Sequence, residues 1–437
     1  MNHLAYLRGK ITEHRAKSKS FAKSVLSSLM NQAVSSGTNF ALTVYLARTL
    51  TTADFGLYGI GFAITLLYAG VCDALFLTQM VVHAPEKLPD DRLPYAARML
   101  SALVLFCVLT ASLTILLLCL DATSSHLAGQ YFALALSIVA ASVSFALKDF
   151  FIRHAYTVRR ENWALWVNIV VAATLAAALA VKYMLFGGFG PAGALWVYAL
   201  SNLAGAAVGF VIVGLPMASV CMKEIYKDVR HAWVGGRWAF VGVAVTWSQT
   251  QLYMYVTAMF VGPAGVGLAN AARILVTPAM FLMPAVTQIV MPRLATLRTT
   301  NLARMIQMST IFSAGLVAFA ALYSIALIST GDFIAPMLTR HYRYVDVAPL
   351  VGAWCVMLVF QFSRIGAVTC LQILKEFRAV TLSNSISLLA AVPIAVILMQ
   401  MIGVSGAILG GAIGEMVFSV LLYKVVKMKY VALRVHM

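Results

Sequence analysis

Arg273, Arg364, Asp73 and Glu415 stand well inside long apolar runs of this chain. A charge at the centre of a bilayer costs ~3 kcal/mol even on the most lenient insertion scale, so each must face a wet interior or a partner charge. Guanidinium presents a planar fork of donors that meets phosphate or carboxylate oxygens two at a time. An anionic phosphoryl headgroup is therefore the ligand chemistry that suits Arg273 and Arg364, with a structural ion pair as the competing reading for both. Asn270, Arg273, Thr277, Pro284 and Gln288 follow one helical face, and Gln361 stands one turn from Arg364. Lys148 and Arg153 close an earlier apolar run, where snorkelling to the interface competes with a place in a cavity. Asp73 and Glu415 also have two readings. Either they relay protons or hold sodium, making H+ or Na+ a coupling ion, or each balances a nearby arginine.

Hydroxyls and amides form two further stripes. Ser24, Ser28, Asn31, Ser35 and Thr38 recur at alternating spacings of four and three, with Asn39 beside them. Thr246, Thr250, Tyr253 and Thr257 make a matching line, flanked by Trp247, Gln249 and Gln251. Seams of this kind either bind sugar hydroxyls or lock helices together through hydrogen bonds, and the spacing alone leaves both open.

The elements that must position these residues are transmembrane helices. Of the 437 residues 62% are hydrophobic and 11% charged, and mean hydropathy is +0.88, a surface no soluble protein could present. Apolar runs recur at 22–47, 55–82, 95–120, 127–152, 163–186, 192–214, 237–262, 266–292, 306–330, 347–370, 380–402 and 405–424, each long enough to cross ~30 Å of hydrocarbon as a helix. The alternating ten-residue segments of a membrane barrel are absent. The expected fold is thus all-α and polytopic, with about twelve transmembrane helices in two six-helix lobes.

The net charge of +17 reads as topology, and no nucleic-acid partner is implied. With both termini in the cytoplasm, inner segments hold all of the 32 basic residues except Arg48, Lys182, Arg340 and Arg343 outside and Arg273 and Arg364 within spans. The six cysteines are scattered in or beside apolar runs and read as packing residues. The expected organisation is a basic tail (1–21), a first lobe (22–214), a cytoplasmic connection (215–236), a second lobe (237–424) and a tail (425–437). A faint repeat supports the two lobes. A shift of 211 lays Ala53-Asp-Phe-Gly-Leu57 on Ala264-Gly-Val-Gly-Leu268, Ser35 on Thr246 and Arg153 on Arg364. A shift of 213 lays Gly190-Pro-Ala-Gly-Ala-Leu195 on Gly403-Val-Ser-Gly-Ala-Ile408. An even number of helices per repeat implies a two-fold axis along the membrane normal. Gly205/Gly209, Gly406/Gly410 and Gly410/Gly414 read as close helix packing, and Pro278, Pro284 and Pro292 as bends.

Asn31-Gln-Ala-Val-Ser-Ser-Gly-Thr-Asn-Phe40, Leu46-Ala-Arg-Thr-Leu-Thr-Thr-Ala-Asp-Phe-Gly-Leu-Tyr58, Gly265-Val-Gly-Leu-Ala-Asn-Ala-Ala-Arg-Ile274, Ile289-Val-Met-Pro-Arg-Leu294 and Tyr344-Val-Asp-Val-Ala-Pro-Leu350 resemble the bacterial polysaccharide and O-antigen exporters of the multidrug/oligosaccharidyl-lipid/polysaccharide superfamily. The resemblance implies two lobes rocking about a central cavity to carry an undecaprenyl-pyrophosphate-linked oligosaccharide across the bacterial inner membrane. It further implies a polysaccharide polymerase and glycosyltransferases as partners. Arg273, Arg364, Arg153, Lys148, Asn31, Ser35, Asn39, Asn270, Thr277, Gln249 and Gln361 are the candidate substrate-binding residues, and no cofactor is expected. An ion-coupled drug exporter of the same superfamily is the nearest rival, though it would favour acids and aromatics over arginines in its cavity. A membrane glycan polymerase or ligase would need catalytic groups on substantial outer loops, and the longest here is about Gly331 to Asp346. No phosphate-binding glycine loop, zinc motif or nucleophile triad is evident.

Overall fold

The computed structural model describes residues 27–122, 128–186, 190–217, 221–281, 283, 287, 290, 291, 294, 297, 298, 301–338, 344–374 and 376–435. Ser24, Pro284, Gln288, Pro292, Arg340 and Arg343 lie outside them.

Regular structure among these residues is helical throughout. The chain runs through α1 (27–49), α2 (Thr52–Cys72), a π-helical turn (Asp73–Leu77), α3 (Thr78–His83), α4 (Arg92–Ala122), α5 (Ala128–Thr157), α6 (Glu161–Phe186) and α7 (Pro191–Val213). It continues as α8 (Met222–Thr250), α9 (Leu252–Phe260), α10 (Pro263–Met280), α11 (Leu302–Leu338), α12 (Tyr344–Ser363), α13 (Ile365–Ile373), α14 (Phe377–Ile402) and α15 (Val404–Val435).

Nine of these stretches are long and apolar enough to cross a membrane by length and composition. The described parts of the remaining expected spans lie on α1, α8–α9 and α10, the helices that carry the polar stripes. Hydroxyls, amides and an arginine dilute their hydropathy. A helix of that kind needs protein or water beside it, whereas one that is apolar all round can face lipid.

Three interruptions shape the helices. The π turn inserts its extra residue at Asp73, Gln251 separates α8 from α9, and Arg364 separates α12 from α13. Backbone irregularity at membrane depth is tolerated only where protein or a wet cavity satisfies it. At the third break, the Gly366 amide donates to Ser313 Oγ at 2.8 Å. Pro278 lies inside α10, two residues before its end. Gly403 joins α14 to α15 at φ 69°, a left-handed conformation that a side chain would strain.

Backbone contacts divide the protein into two compact units. The first holds the chain to Asn39 with Cys72–Leu185 and Trp196–Arg237. The second holds Phe40–Val71, Phe186–Leu195 and Trp238–Met437. The second unit therefore takes in the end of α1 and nearly all of α2 as well as the C-terminal helices.

Small residues set the packing inside each unit. In the first, Gly205 meets Val171 and Gly209 meets Phe151. In the second, Gly406 abuts the Leu398 carbonyl, Gly410 the Ala395 backbone and Gly414 the Ala391 methyl, so α14 and α15 pack almost backbone to backbone. Around them Tyr253, Val266, Ala269, Leu275, Val351, Trp354, Ala391, Ala395, Ala407 and Ala412 form a continuous core. Cys72, Cys107, Cys355 and Cys370 are buried as packing residues, but Cys119 and Cys221 are exposed, which corrects the uniform reading of the six.

A side chain at Gly410 would drive α14 from α15. Gly410→Val is expected to lose about 1–3 kcal/mol, read as a lower unfolding midpoint in detergent, whereas Gly315→Ala, inside α11 with open space around it, should unfold no earlier than the parent.

Candidate functional site

The second unit contains a cavity of about 500 Å3 whose polar wall comes from four elements. Thr246, Gln249, Thr250 and Trp247 come from α8, Arg364 from the α12–α13 break, Asn384 from α14 and Glu415 from α15. Arg364 Nε lies 2.6 Å from Glu415 Oε2, and the Glu415 side chain is only 2% exposed. The guanidinium also lies 5.2 Å from the centre of the Phe418 ring. Breaking the helix at Arg364 gives this long side chain freedom to reach across to α15. Gln361, one turn back, is buried in α12.

Beside the ion pair, Asn384 Nδ2 donates to Thr246 Oγ1 at 3.0 Å and Gln249 Nε2 to Ser387 Oγ at 3.1 Å. Ser387 Oγ in turn donates to the Gly414 carbonyl. Among the described residues, Gln249 Oε1 and Trp247 Nε1 are buried without a hydrogen-bond partner. A buried polar atom left unpaired costs roughly 1–3 kcal/mol, so this wall carries unused capacity for an acceptor and a donor. Hydroxylated ligands supply both.

Arg273 occupies a different setting in the same unit. Its Nη1 donates to Tyr253 Oη at 3.1 Å, and that hydroxyl donates to Asn270 Oδ1 at 2.8 Å. The guanidinium lies 5.8 Å from the Tyr253 ring centre and 5.3 Å from that of Trp354. Trp354 is held by its Nε1–H to the Ala269 carbonyl at 3.0 Å and meets Tyr253 edge to face. Thr277 spends its hydroxyl on the Arg273 carbonyl. Among the described residues, no carboxylate comes within 4.0 Å of Arg273, in contrast to Arg364. Two aromatic faces and a phenol hold the cation in place and leave its charge available.

The first unit resolves the other candidates. Asn31 Nδ2 donates to Tyr156 Oη at 2.8 Å, and Asn31 Oδ1 accepts from Asn168 Nδ2 at 2.7 Å. Ser27 Oγ donates to Asn162 Oδ1 at 3.0 Å. This end of the α1 seam therefore binds α1 to α5 and α6, the helix-locking alternative. Ser35 and Asn39 continue it half-buried. Lys148 is buried at 4% exposure with Nζ 3.9 Å from the Phe145 ring centre, so it does not snorkel. Arg153 Nε lies 3.2 Å from Asp73 Oδ1 and 4.0 Å from Asp149 Oδ2, and Thr78 Oγ1 donates to Asp73 Oδ2 at 3.3 Å.

The two intraspan acids thus each hold one of the two arginines that the repeat places in register. Sequence spacing did not reveal Tyr156, Asn168, Trp354, Asn384 or Ser387. The asparagines had a usable signal, since an amide inside an apolar run needs a partner. Trp354 had none, because its role depends on where its ring meets Arg273.

Removing one member of a buried pair strands the other. Arg364→Ala should destabilise the protein by ~3–5 kcal/mol, with adding Glu415→Gln restoring much of the loss, measured as folded protein in the membrane and unfolding midpoint. Asp73→Asn should cost less, because the Arg153 side chain is 48% exposed.

The fold matches known transporters over nearly its whole length. A structure described as an inward-facing multidrug-resistance transporter of the MATE family and MOP superfamily aligns with 92% of this chain and 95% of its own, at TM-score 0.70 and 15% identity. The lipid II flippase MurJ in an inward closed conformation aligns with 93% of this chain and 87% of its own, at TM-score 0.70 and 13% identity. The eukaryotic MATE transporter AtDTX14 gives 93% and 95%, TM-score 0.66 and 14% identity. Among curated proteins none matches by sequence. The family model of the polysaccharide biosynthesis proteins matches residues 21–298. This multi-pass membrane protein thus has the fold of those solved structures, and the chain belongs to the polysaccharide biosynthesis protein family.

Proposed function

We propose that the chain moves an undecaprenyl-pyrophosphate-linked oligosaccharide from the cytoplasmic to the outer face of a bacterial inner membrane. The observation that carries this reading is Arg273, an intraspan guanidinium with an aromatic shell and no described carboxylate beside it. An uncompensated cation there favours an anionic group that arrives with the substrate, and a pyrophosphate fits the guanidinium fork. The same cation disfavours the rival reading, a cationic drug as cargo. The spare capacity at Gln249 and Trp247 supports a sugar-facing wall, with Thr246 and Asn384 beside it. Arg364 and Arg153 act in this reading as paired residues that keep the two polar centres folded. A coupling proton or sodium ion at Glu415 or Asp73 would work by releasing its arginine.

Alternating access needs a closure that can part. Gly56 at the start of α2 and Gly267 at the start of α10 meet so closely that a methyl on Gly56 would overlap the Pro263 carbonyl, and one on Gly267 the Thr52 carbonyl. Gly56 with Gly267, and Thr52 with Pro263, are pairs in the 211-residue repeat. Such a reciprocal contact is what a two-fold axis generates between matching surfaces. We assign it to the outer gate. Both termini and the 215–236 connection lie in the cytoplasm in this reading, and polymerase and glycosyltransferases are its partners.

Two experiments test the reading. Arg273→Ala should abolish surface polysaccharide in a transporter-null strain at normal protein abundance, with Arg273→Lys partly active because it keeps charge without the fork. Normal export by Arg273→Ala would remove the headgroup role. Accessibility tags at 217–232 and after Met437 should report cytoplasm, and a tag near Ser124 the outer side; an outer report from 217–232 would overturn the topology.

A further inference from the structure

The first four turns of α8 sort their charges by face. At 100° per residue, Glu224, Ile225, Asp228, Ala232 and Gly236 share one side, while Lys223, Tyr226, Lys227, Arg230, Trp233 and Arg237 share the other. The first side is fastened to the protein. Arg98 Nε donates to Asp228 Oδ2 at 2.6 Å, Nη1 to Glu224 Oε2 at 3.3 Å and Nη2 to Asp91 Oδ1 at 3.3 Å. Lys87 Nζ stands 3.6 Å from Asp228 Oδ1, and the Tyr95 ring lies beneath both cations. Gly236 comes against the backbone of Ala74 and Leu75. Both acids of this helix are therefore consumed inside the first unit.

The second side is left basic. Lys223, Lys227, Arg230 and Arg237 are exposed, as are Tyr226 at 66% and Trp233 at 53%. Glu224 and Asp228 stand four residues apart on one side and Lys223 and Lys227 four apart on the other, so each side repeats one sign of charge and neither spacing makes an i,i+4 acid–base pair. Here the acids are turned away and their partners come from the 87–98 segment. The same helix continues without a break into the segment expected to span the bilayer from 237, so this face stands at the membrane surface. Tyrosine and tryptophan are the side chains that settle at headgroup level.

We propose that this face binds anionic phospholipid headgroups of the adjoining leaflet, holding the joint between the two halves of the chain against the membrane. Phosphodiester oxygens satisfy Lys223, Lys227 and Arg230, while Tyr226 and Trp233 enter the glycerol region. Each basic residue near an anionic surface strengthens its attraction about five-fold, an effect that salt screens.

The test reconstitutes the full chain in zwitterionic vesicles doped with brominated phosphatidylglycerol or, at equal mole fraction, brominated phosphatidylcholine, and reads tryptophan fluorescence. Both leaflets carry the quencher, so the result does not depend on orientation or on transport. The anionic quencher is expected to exceed the zwitterionic one several-fold in apparent affinity at low salt. About 1 M salt should remove the excess, as should Trp233→Phe or the triple change Lys223→Gln, Lys227→Gln, Arg230→Gln. The charge-keeping change Lys223→Arg, Lys227→Arg, Arg230→Lys should retain it. Equal quenching by the two lipids, or an excess that survives the neutral triple or Trp233→Phe, would overturn the proposal and leave the face to a protein partner.

Discussion

Hydrocarbon offers a charge neither hydrogen bonds nor screening, so the intraspan ions of this protein lie where a partner can be brought to them. Asp73 meets Arg153 in the first unit and Glu415 meets Arg364 in the second. Each pair coincides with a fault in helical geometry, the π turn that begins at Asp73 and the break at Arg364. Neither fault would survive facing lipid, because its released backbone groups would go unpaired. Ion pair and irregular backbone therefore require each other's surroundings, a polar centre inside a bundle of helices. Arg273 shows the other solution, in which aromatic faces and a phenol oxygen position a cation without neutralising it.

The polar seams divide by the same accounting of donors and acceptors. On α1, Asn31 finds Tyr156 and Asn168, its amide is used at both ends, and the result is a joint between helices. On α8, Gln249 gives its NH2 to Ser387 but keeps an unpaired oxygen beside a cavity. Similar residues at similar spacing thus become adhesive in one place and receptive in another. The local supply of partners makes the difference.

Close backbone approach gives these centres their rigidity. With few hydrophobic gains available between helices in lipid, dispersion and steric fit must hold them, and both improve as side chains shrink. Gly406, Gly410 and Gly414 bring α14 onto α15 beneath Ser387 and Glu415. The cavity wall formed by Asn384 and Glu415 is therefore set by a glycine seam that runs directly behind it, with the Gly414 carbonyl accepting from Ser387.

Much was legible in the sequence. Among the described residues the apolar runs coincide with helices, the charge asymmetry pointed to a membrane protein rather than a nucleic-acid binder, and the motifs pointed to the family. Those readings rest on local quantities, hydropathy summed over a turn or a span and the identity of neighbouring residues. The same local reasoning nominated Arg273, Arg364, Asp73 and Glu415 as exceptional, since a lone charge in an apolar run must be compensated somewhere. It could not say by what. Arg364 was equally compatible with a phosphate or a carboxylate, and only the tertiary structure set Glu415 from α15 beside it while leaving Arg273 with Tyr253 and Trp354. Pairing across helices depends on helix rotation, crossing distance and the position of a break, and those follow from packing over the whole unit. What each charged residue has to satisfy is written in the sequence, and what satisfies it is decided by the fold.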